Sequence, residues 1–134
     1  MSQREINRPE VVAEVRAAFE DYEAALIRHD EVALHHWFLQ RPDTVRFGLA
    51  EHNYGANAIA AWRADTIPVD VSRRLLRVVI VTFGADAASV CAEFENALSP
   101  RRGRQSQMWV RRPEGWRIAS AHVSEIDAGM IAPE

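Results

Sequence analysis

Polar side chains alternate with core-type residues along Gly103–Ser124, a stretch that reads as two strands joined by a Pro113-Glu114-Gly115 turn. The alternating positions are Gln105, Gln107 and Trp109 on the first strand, and Trp116, Ile118, Ser120 and His122 on the second. A strand that only fills a core would carry apolar side chains at this parity. Because buried polar groups need hydrogen-bond partners, the amides and the imidazole indicate a polar pocket.

The pairing of these two strands decides which side chains meet. A two-residue loop at Glu114-Gly115 would place Gln107 opposite His122, whereas a three-residue loop would place Ser106 there. We favour the first register because it gathers Gln107, Trp109 and His122 on one face. In that position His122 could orient a substrate or accept a proton, since its reference pKa is about 6.5. The alternative is a strand histidine whose hydrogen bonds are satisfied within the fold.

Tyr22 is a candidate proton donor on the first predicted helix, which runs from about Pro9 to Arg28. The apolar stripe of this helix follows helical spacing and comprises Val11, Val15, Phe19, Tyr22 and Leu26. Tyr22 therefore points toward the core. A phenol, with a reference pKa of about 10, would donate a proton near pH 7, and a neighbouring arginine would favour the phenolate. The alternative is a core tyrosine with a satisfied hydroxyl.

Arginine supplies every basic side chain of the chain, since none of the 16 basic residues is lysine. Schiff-base chemistry through lysine is therefore excluded. Arg46 lies between Val45 and Phe47 on a short predicted strand, and it faces the opposite side from both. It is either a solvent-facing arginine or a guanidinium that could hold a planar carboxylate through two parallel hydrogen bonds.

Several classes of function lack support in the composition. The net charge of -3 argues against a general nucleic-acid-binding protein. No phosphate-binding loop or nucleophile elbow is present, and His29, His35, His36 and His52 lack metal-ligand spacing, so we expect neither a cofactor nor a metal. No apolar run reaches the roughly 20 residues that span a bilayer. The polar N-terminus lacks the apolar core of a signal peptide, so a cytoplasmic protein is expected, and the lone Cys91 has no disulfide partner.

The order of the elements predicts the fold class. Helices precede a meander of long strands, which predicts an α+β fold in a single domain spanning residues 1–134. One curved antiparallel sheet must wrap around the first helix to cover its stripe. The predicted strand Arg74–Thr82 is apolar on both faces after Arg77. Such a strand is covered on both sides, so we expect a homodimer that forms through the outer face of the sheet.

The predicted strand Ser89–Leu98 has a clear alternation between apolar and acidic residues. Its parity predicts that Phe94 and Asn96 share the inner face. Glu93 and Glu95 then face outward. Asn96 is therefore a further candidate for the polar pocket.

Three motifs together resemble one known family. They are DYEAAL at Asp21–Leu26, VRFGLAEHNYG at Val45–Gly55, and GRQSQMWV followed by GWRIASAHVS within Gly103–Ser124. The order of elements resembles the SnoaL-like branch of the NTF2-like superfamily, whose cystatin-like fold is a cone. The motifs are similar to those of the AtzH-like and HpxZ group within that branch. The stretch from about Asp65 to Asp86 carries no distinctive signature.

This resemblance implies a metal-independent amidohydrolase that converts 1,3-dicarboxyurea to allophanate in cyanuric acid and s-triazine catabolism. Arg46 would hold a carboxylate and Tyr22 would move a proton at the leaving nitrogen. The substrate-binding residues would be Asn96, Gln107, Trp109 and His122. The alternative is a non-catalytic accessory subunit in ureide catabolism of the oxalurate type. An isomerase or cyclase of the SnoaL type would need an acidic base inside the cone, and the inner parity of Ser89–Leu98 offers only Asn96.

Overall fold

Three α-helices and six β-strands form the fold in this computed structural model, which describes residues 1–134. The helices are α1 (Pro9–Arg28), α2 (Glu31–Trp37) and α3 (Ala56–Asp65). The strands are β1 (Val45–Phe47), β2 (His52–Tyr54), β3 (Arg74–Phe83), β4 (Ala87–Asn96), β5 (Ser99–Arg112) and β6 (Gly115–Asp127). Short 3-10 turns lie at Gln3–Glu5 and Ala128–Met130.

Helix α1 has the bounds that its spacing predicts. Pro9 occupies the first helical position, where its missing N–H is not needed. The helix ends where His29 adopts a left-handed conformation with φ 50°. Asp30 then caps α2, its carboxylate accepting the Ala33 N–H at 3.0 Å. Two helices therefore meet at a sharp corner, close to the end of the stripe that carries Tyr22.

The strands form one curved, open sheet in the order β2-β1-β6-β5-β4-β3. All neighbours are antiparallel except β1 and β6, which are parallel. The stripe of α1 packs into the core formed with the inner face of this sheet, together with the fully buried Trp109, Phe38 and Ile118. The α+β fold predicted from the order of elements is confirmed. None of the helices has the length and apolar content that crossing a membrane requires.

The alternation predicted for β4 is also confirmed along most of the strand. Phe94 is buried, while the two glutamates face outward and make ion pairs. Glu93 pairs with Arg102 at 3.1 Å, and Glu95 pairs with Arg74 at 2.7 Å.

The register predicted for the β5–β6 hairpin is wrong. Arg112 pairs with Gly115, so the two-residue loop is Pro113-Glu114 rather than Glu114-Gly115. The pairing then shifts by one residue between Ile118 and Ser120, because a bulge at Ala119 adds a residue to β6.

The bulge exchanges the two faces of β6 beyond Ala119. His122 consequently lies opposite Ser106, and Gln107 lies opposite Ala121. A one-residue change in register moves every following side chain to the other face. Ala121 is buried and His122 is exposed, the reverse of the predicted arrangement.

Strand β3 is covered on one face only within this chain. Its outward apolar side chains stay accessible: Val79 is 44% exposed and Phe83 is 36% exposed. Met108 of β5, at 41%, extends the same apolar surface. The predicted homodimer through this face stays a prediction.

Candidate functional site

Arg46 is a buried guanidinium on the inner face of the short strand β1. It pairs with Asn53 of β2 and Ala121 of β6, and only 7% of the residue is exposed. The alternation of Val45, Arg46 and Phe47 turns Arg46 away from its two neighbours. Of the two alternatives raised by the sequence, the solvent-facing arginine is therefore wrong.

Several groups hold the Arg46 guanidinium in place. Its Nη1 donates to Glu51 Oε1 and to Asn53 Oδ1, each at 3.2 Å. The group lies over the ring of Trp62, 3.7 Å from the ring centroid, in a cation–π contact. Gly48 leaves room for this arrangement, because a Cβ there would lie 2.6 Å from Arg46 Nη1. Since Glu51 and Asn53 both use Nη1, the other guanidinium nitrogens stay available for a ligand.

A cavity of about 320 Å³ opens beside Arg46. Its walls come from the end of α1, the β1–β2 segment, α3 with the loop after it, and the inner face of β4 and β6. The side chains that matter for its chemistry are Arg46, Glu51, Trp62 and Arg63, with Leu26 and Phe94 among its apolar lining. This volume suits a small molecule, and the lining combines fixed cations with apolar surface.

The electrostatics of this cavity favour an anion. Burial lowers the pKa of Arg46, and the positive charge of Arg63 adds to that lowering. The negative forms of Tyr22 and Glu51 oppose it. Since removal from water penalises the guanidinium charge and negative groups stabilise it, a bound carboxylate would stabilise Arg46 further.

Arg63 is a second buried guanidinium, and the sequence interpretation missed it. It is 7% exposed, its Nη2 atom is sealed from solvent without a hydrogen-bond partner, and it lies over the ring of Trp62 at 4.8 Å. A sequence signal for it exists. Arg63 follows the buried Ile59 by four residues, a spacing that places both on one helix face.

Tyr22 lies deep in the fold, one helical turn before the cavity-lining Leu26. The residue is 4% exposed, and its ring meets Phe38 and Trp109 edge-on, with centroids 6.1 and 6.4 Å apart. Its hydroxyl makes no hydrogen bond within the chain, and the hydroxyl oxygen is not completely shielded from solvent. The predicted inward direction of Tyr22 agrees with the structure, but Tyr22 is not part of the wall of the cavity beside Arg46.

Gln107 and Trp109 lie together on the inner face, as their parity predicts. Gln107 is 4% exposed and Trp109 is fully buried. The indole Nε1–H of Trp109 donates to Gln107 Oε1 at 2.9 Å, which fixes the amide plane. The Gln107 NH₂ group has no partner within the chain and could donate to a carbonyl oxygen.

A buried carboxylate lies inside the fold on α1, outside the strand Ser89–Leu98 whose inner parity offered no acid. Glu23 accepts two hydrogen bonds from Arg73, at 3.0 and 3.3 Å, and one from Gln105 at 2.9 Å. The Arg73 guanidinium in turn lies 3.8 Å above the Phe94 ring. Glu23 is four residues after Phe19, so helical spacing could have identified it. Both carboxylate oxygens of Glu23 accept hydrogen bonds, so Glu23 has a structural role and is not a free general base.

Arg46 is the one predicted site residue in the wall of this cavity. Tyr22, Gln107 and Trp109 are buried in the core, and the remaining two lie outside both the cavity wall and the core. His122 is exposed on the outer face, where its ring lies 5.8 Å from that of Phe47, because the bulge in β6 exchanges the faces. Asn96 lies at the end of β4, where the pairing with β5 shifts after Phe94. Its side-chain oxygen accepts the Leu98 N–H at 2.9 Å, which is a turn contact. The prediction that both point into the pocket is wrong.

Comparisons with known proteins identify the family. The AtzH-like family model matches residues 4–129. The chain belongs to the AtzH-like family. A search among curated proteins found no match.

Solved structures agree with this assignment. The chain is 48% identical to a cystatin-like fold protein from Burkholderia xenovorans LB400, with a TM-score of 0.89, covering 91% of this chain and 96% of that one. It is 41% identical to a protein of unknown function of the DUF3225 family from Pectobacterium atrosepticum SCRI1043, with a TM-score of 0.91, covering 94% and 98%. A ketosteroid isomerase-like protein from Erwinia carotovora atroseptica SCRI1043 has a TM-score of 0.70, covering 88% of this chain and 98% of that one. Its identity of 22% makes this a likeness of fold alone.

Proposed function

We propose that this AtzH-like protein is a metal-independent amidohydrolase that removes one carboxylate from a small carboxylated urea. The substrate is 1,3-dicarboxyurea and the product is allophanate, as part of cyanuric acid and s-triazine catabolism. One observation carries the proposal: the buried Arg46 guanidinium faces a cavity of about 320 Å³, and the buried Tyr22 lies one helical turn from Leu26 in the wall of that cavity. Membership of the AtzH-like family supports the same substrate class.

The reaction needs a carboxylate held in place and a proton delivered to nitrogen. Arg46 holds a terminal carboxylate by its planar fork, and the Trp62 ring supports that guanidinium. The bond between the carbon of the other carboxylate and its nitrogen then breaks, and the electron pair stays on that nitrogen. The Tyr22 hydroxyl supplies the proton, and the carboxylate leaves as carbon dioxide or, after addition of water, as bicarbonate.

Gln107 orients the urea core in this proposal. Its free NH₂ group donates to the central carbonyl oxygen, while the Trp109 indole keeps the amide from rotating. A carbonyl held in this way stabilises the negative charge that develops on the urea as the bond breaks. Trp109 is therefore a positioning residue that acts through Gln107.

A panel of substrates tests the proposal. Purified protein would be mixed with freshly generated 1,3-dicarboxyurea, with oxalurate or with allophanate, and product formation compared with the spontaneous rate. We expect acceleration with 1,3-dicarboxyurea and none with allophanate. A rate equal to the spontaneous one with every compound would contradict the enzyme. Specific binding without turnover would instead favour a non-catalytic accessory subunit.

We also propose a homodimer through the outer face of the sheet. The exposed apolar side chains Val79, Phe83 and Met108 support it, since a contiguous apolar patch on a sheet marks an interface. Light scattering at micromolar concentration should give twice the mass of the 15.1 kDa chain. Val79→Glu should shift that mass toward the monomer, and a wild-type monomer would refute the proposal.

A further inference from the structure

Arg63 differs from the other buried arginines because nothing in the chain balances its charge. Arg46 pairs with Glu51, and Arg73 pairs with Glu23. Arg117 donates to the carbonyl oxygens of Trp116 and Glu114, at 2.7 and 3.2 Å. Arg63 makes no ion pair, and its sealed Nη2 atom has no hydrogen-bond partner. A buried charge without a partner is unfavourable, so such a group indicates a partner that the chain itself does not supply.

The location of Arg63 shows where that partner binds. Arg63 lines the same cavity as Arg46, and the two guanidiniums share the Trp62 ring, at 4.8 and 3.7 Å from its centroid. The two cations are therefore close enough for one small molecule to contact both. Glu51 contacts Arg46 through Nη1 alone, and the other acid of the cavity, Glu125, lies 3.5 Å from Arg101. Both cavity guanidiniums therefore keep N–H groups for an anionic ligand.

We infer that Arg63 binds the second anionic group of the substrate, so that this cavity selects a small dicarboxylate over a monocarboxylate. The inference rests on the proposed function, because it names the charge class of that same substrate. It also gives a reason for product release. When the carboxylate opposite Arg63 has left, Arg63 again lacks a partner, and the monoanionic product is held by Arg46 alone.

Binding of two carbon isosteres, which have no C–N bond to hydrolyse, tests the inference. Both are β-keto acids that lose carbon dioxide in water, so each is freshly dissolved, and the carbon dioxide released with protein present is measured alongside. Acetone-1,3-dicarboxylate replaces both N–H groups of 1,3-dicarboxyurea with CH₂, and acetoacetate does the same for allophanate. Calorimetry would measure both ligands against wild type, Arg63→Gln, Arg63→Lys and the control Arg16→Gln. Arg16 is an exposed arginine of α1, so its substitution makes the same change in net charge away from the cavity.

The expected result is a selective loss. Wild type should prefer the dianion by at least about 10-fold, and Arg63→Gln should weaken dianion binding by about 10- to 100-fold, the range for a buried charge-assisted contact. Acetoacetate binding should change by less than about 3-fold. Arg63→Lys should retain part of the preference, and Arg16→Gln should retain all of it. Equal losses for both ligands, no loss for either, or a wild type without preference would overturn the inference.

The thermal midpoint of the unliganded variant separates a binding role from a structural one. Removing an unpaired buried charge should leave the midpoint of Arg63→Gln no lower than that of wild type. If Arg63→Gln is less stable than wild type, its weaker binding could come from the fold, and Arg63→Lys distinguishes the two roles. An unchanged dianion preference in Arg63→Lys would then assign Arg63 to the fold. Failure of the proposed function has a different signature: wild type would then prefer the dianion without turning over 1,3-dicarboxyurea.

Discussion

Replacing Tyr22 by phenylalanine should separate catalysis from folding. The hydroxyl of Tyr22 makes no hydrogen bond within the chain, and the edge-on contacts of its ring with Phe38 and Trp109 survive in phenylalanine. The free energy of unfolding should therefore change by less than about 1 kcal/mol, below the usual contribution of a buried hydrogen bond. If Tyr22 delivers the proton, turnover of 1,3-dicarboxyurea should fall by about 10²- to 10⁴-fold.

Tyr54→Phe is the matched control for this experiment. Tyr54 is the other tyrosine of the chain and is 64% exposed on β2. Denaturant unfolding and initial rates would be measured for both variants, and Tyr54→Phe should match wild type in each. Turnover of Tyr22→Phe near the wild-type rate would remove Tyr22 from the mechanism. A loss of more than about 2 kcal/mol in stability would show that its hydroxyl has a partner in the fold.

Three further substitutions test the surroundings of the site. Arg46→Lys keeps the charge but loses the planar fork and the stacking on Trp62, so kcat/KM should fall by about 10- to 100-fold, and further in Arg46→Ala; unchanged kinetics would refute the carboxylate grip. Gly48→Ala should displace the Arg46–Glu51 pair, since its Cβ would meet both side-chain ends; we expect reduced affinity for acetone-1,3-dicarboxylate with the fold intact by circular dichroism, and wild-type affinity would contradict this. Glu23→Gln leaves Arg73 buried without a counter-charge and should cost about 3–5 kcal/mol in denaturant unfolding. Glu93→Gln breaks the more exposed pair with Arg102 and should lower the free energy of unfolding by less than about 1 kcal/mol. Equal losses in the two variants would show that burial does not set the strength of these pairs.

Periodicity made the first helix and β4 predictable. In both, the hydrophobic repeat is strict and the ends carry clear signals, such as Pro9 at the start of α1. The inward directions of Tyr22 and Gln107 follow directly from those repeats. The sequence alone did not decide which way Arg46 points, because a three-residue strand has two faces and no repeat to distinguish them.

The predictions that were wrong or missing concern features that depend on tertiary contacts. The bulge at Ala119 reverses the faces of β6, and no turn or glycine signal in the sequence marks it, so His122 was assigned to the wrong face. Glu23 and Arg63 occupy helix positions that spacing alone would bury, but charged residues are rarely buried without partners. Spacing indicates both positions, but the partner of Glu23 and the cavity beside Arg63 are needed to decide in favour of burial.

A crystal structure after a brief soak in freshly dissolved acetone-1,3-dicarboxylate would test the central claim most directly, namely that the cavity beside Arg46 is where a carboxylated urea binds and reacts. We predict one carboxylate on the fork of Arg46, the other on Arg63, and the central carbonyl within hydrogen-bond distance of the Gln107 amide, with the Tyr22 hydroxyl facing the bound molecule. Ligand bound at another surface, with the guanidiniums of Arg46 and Arg63 left uncontacted, would contradict the account.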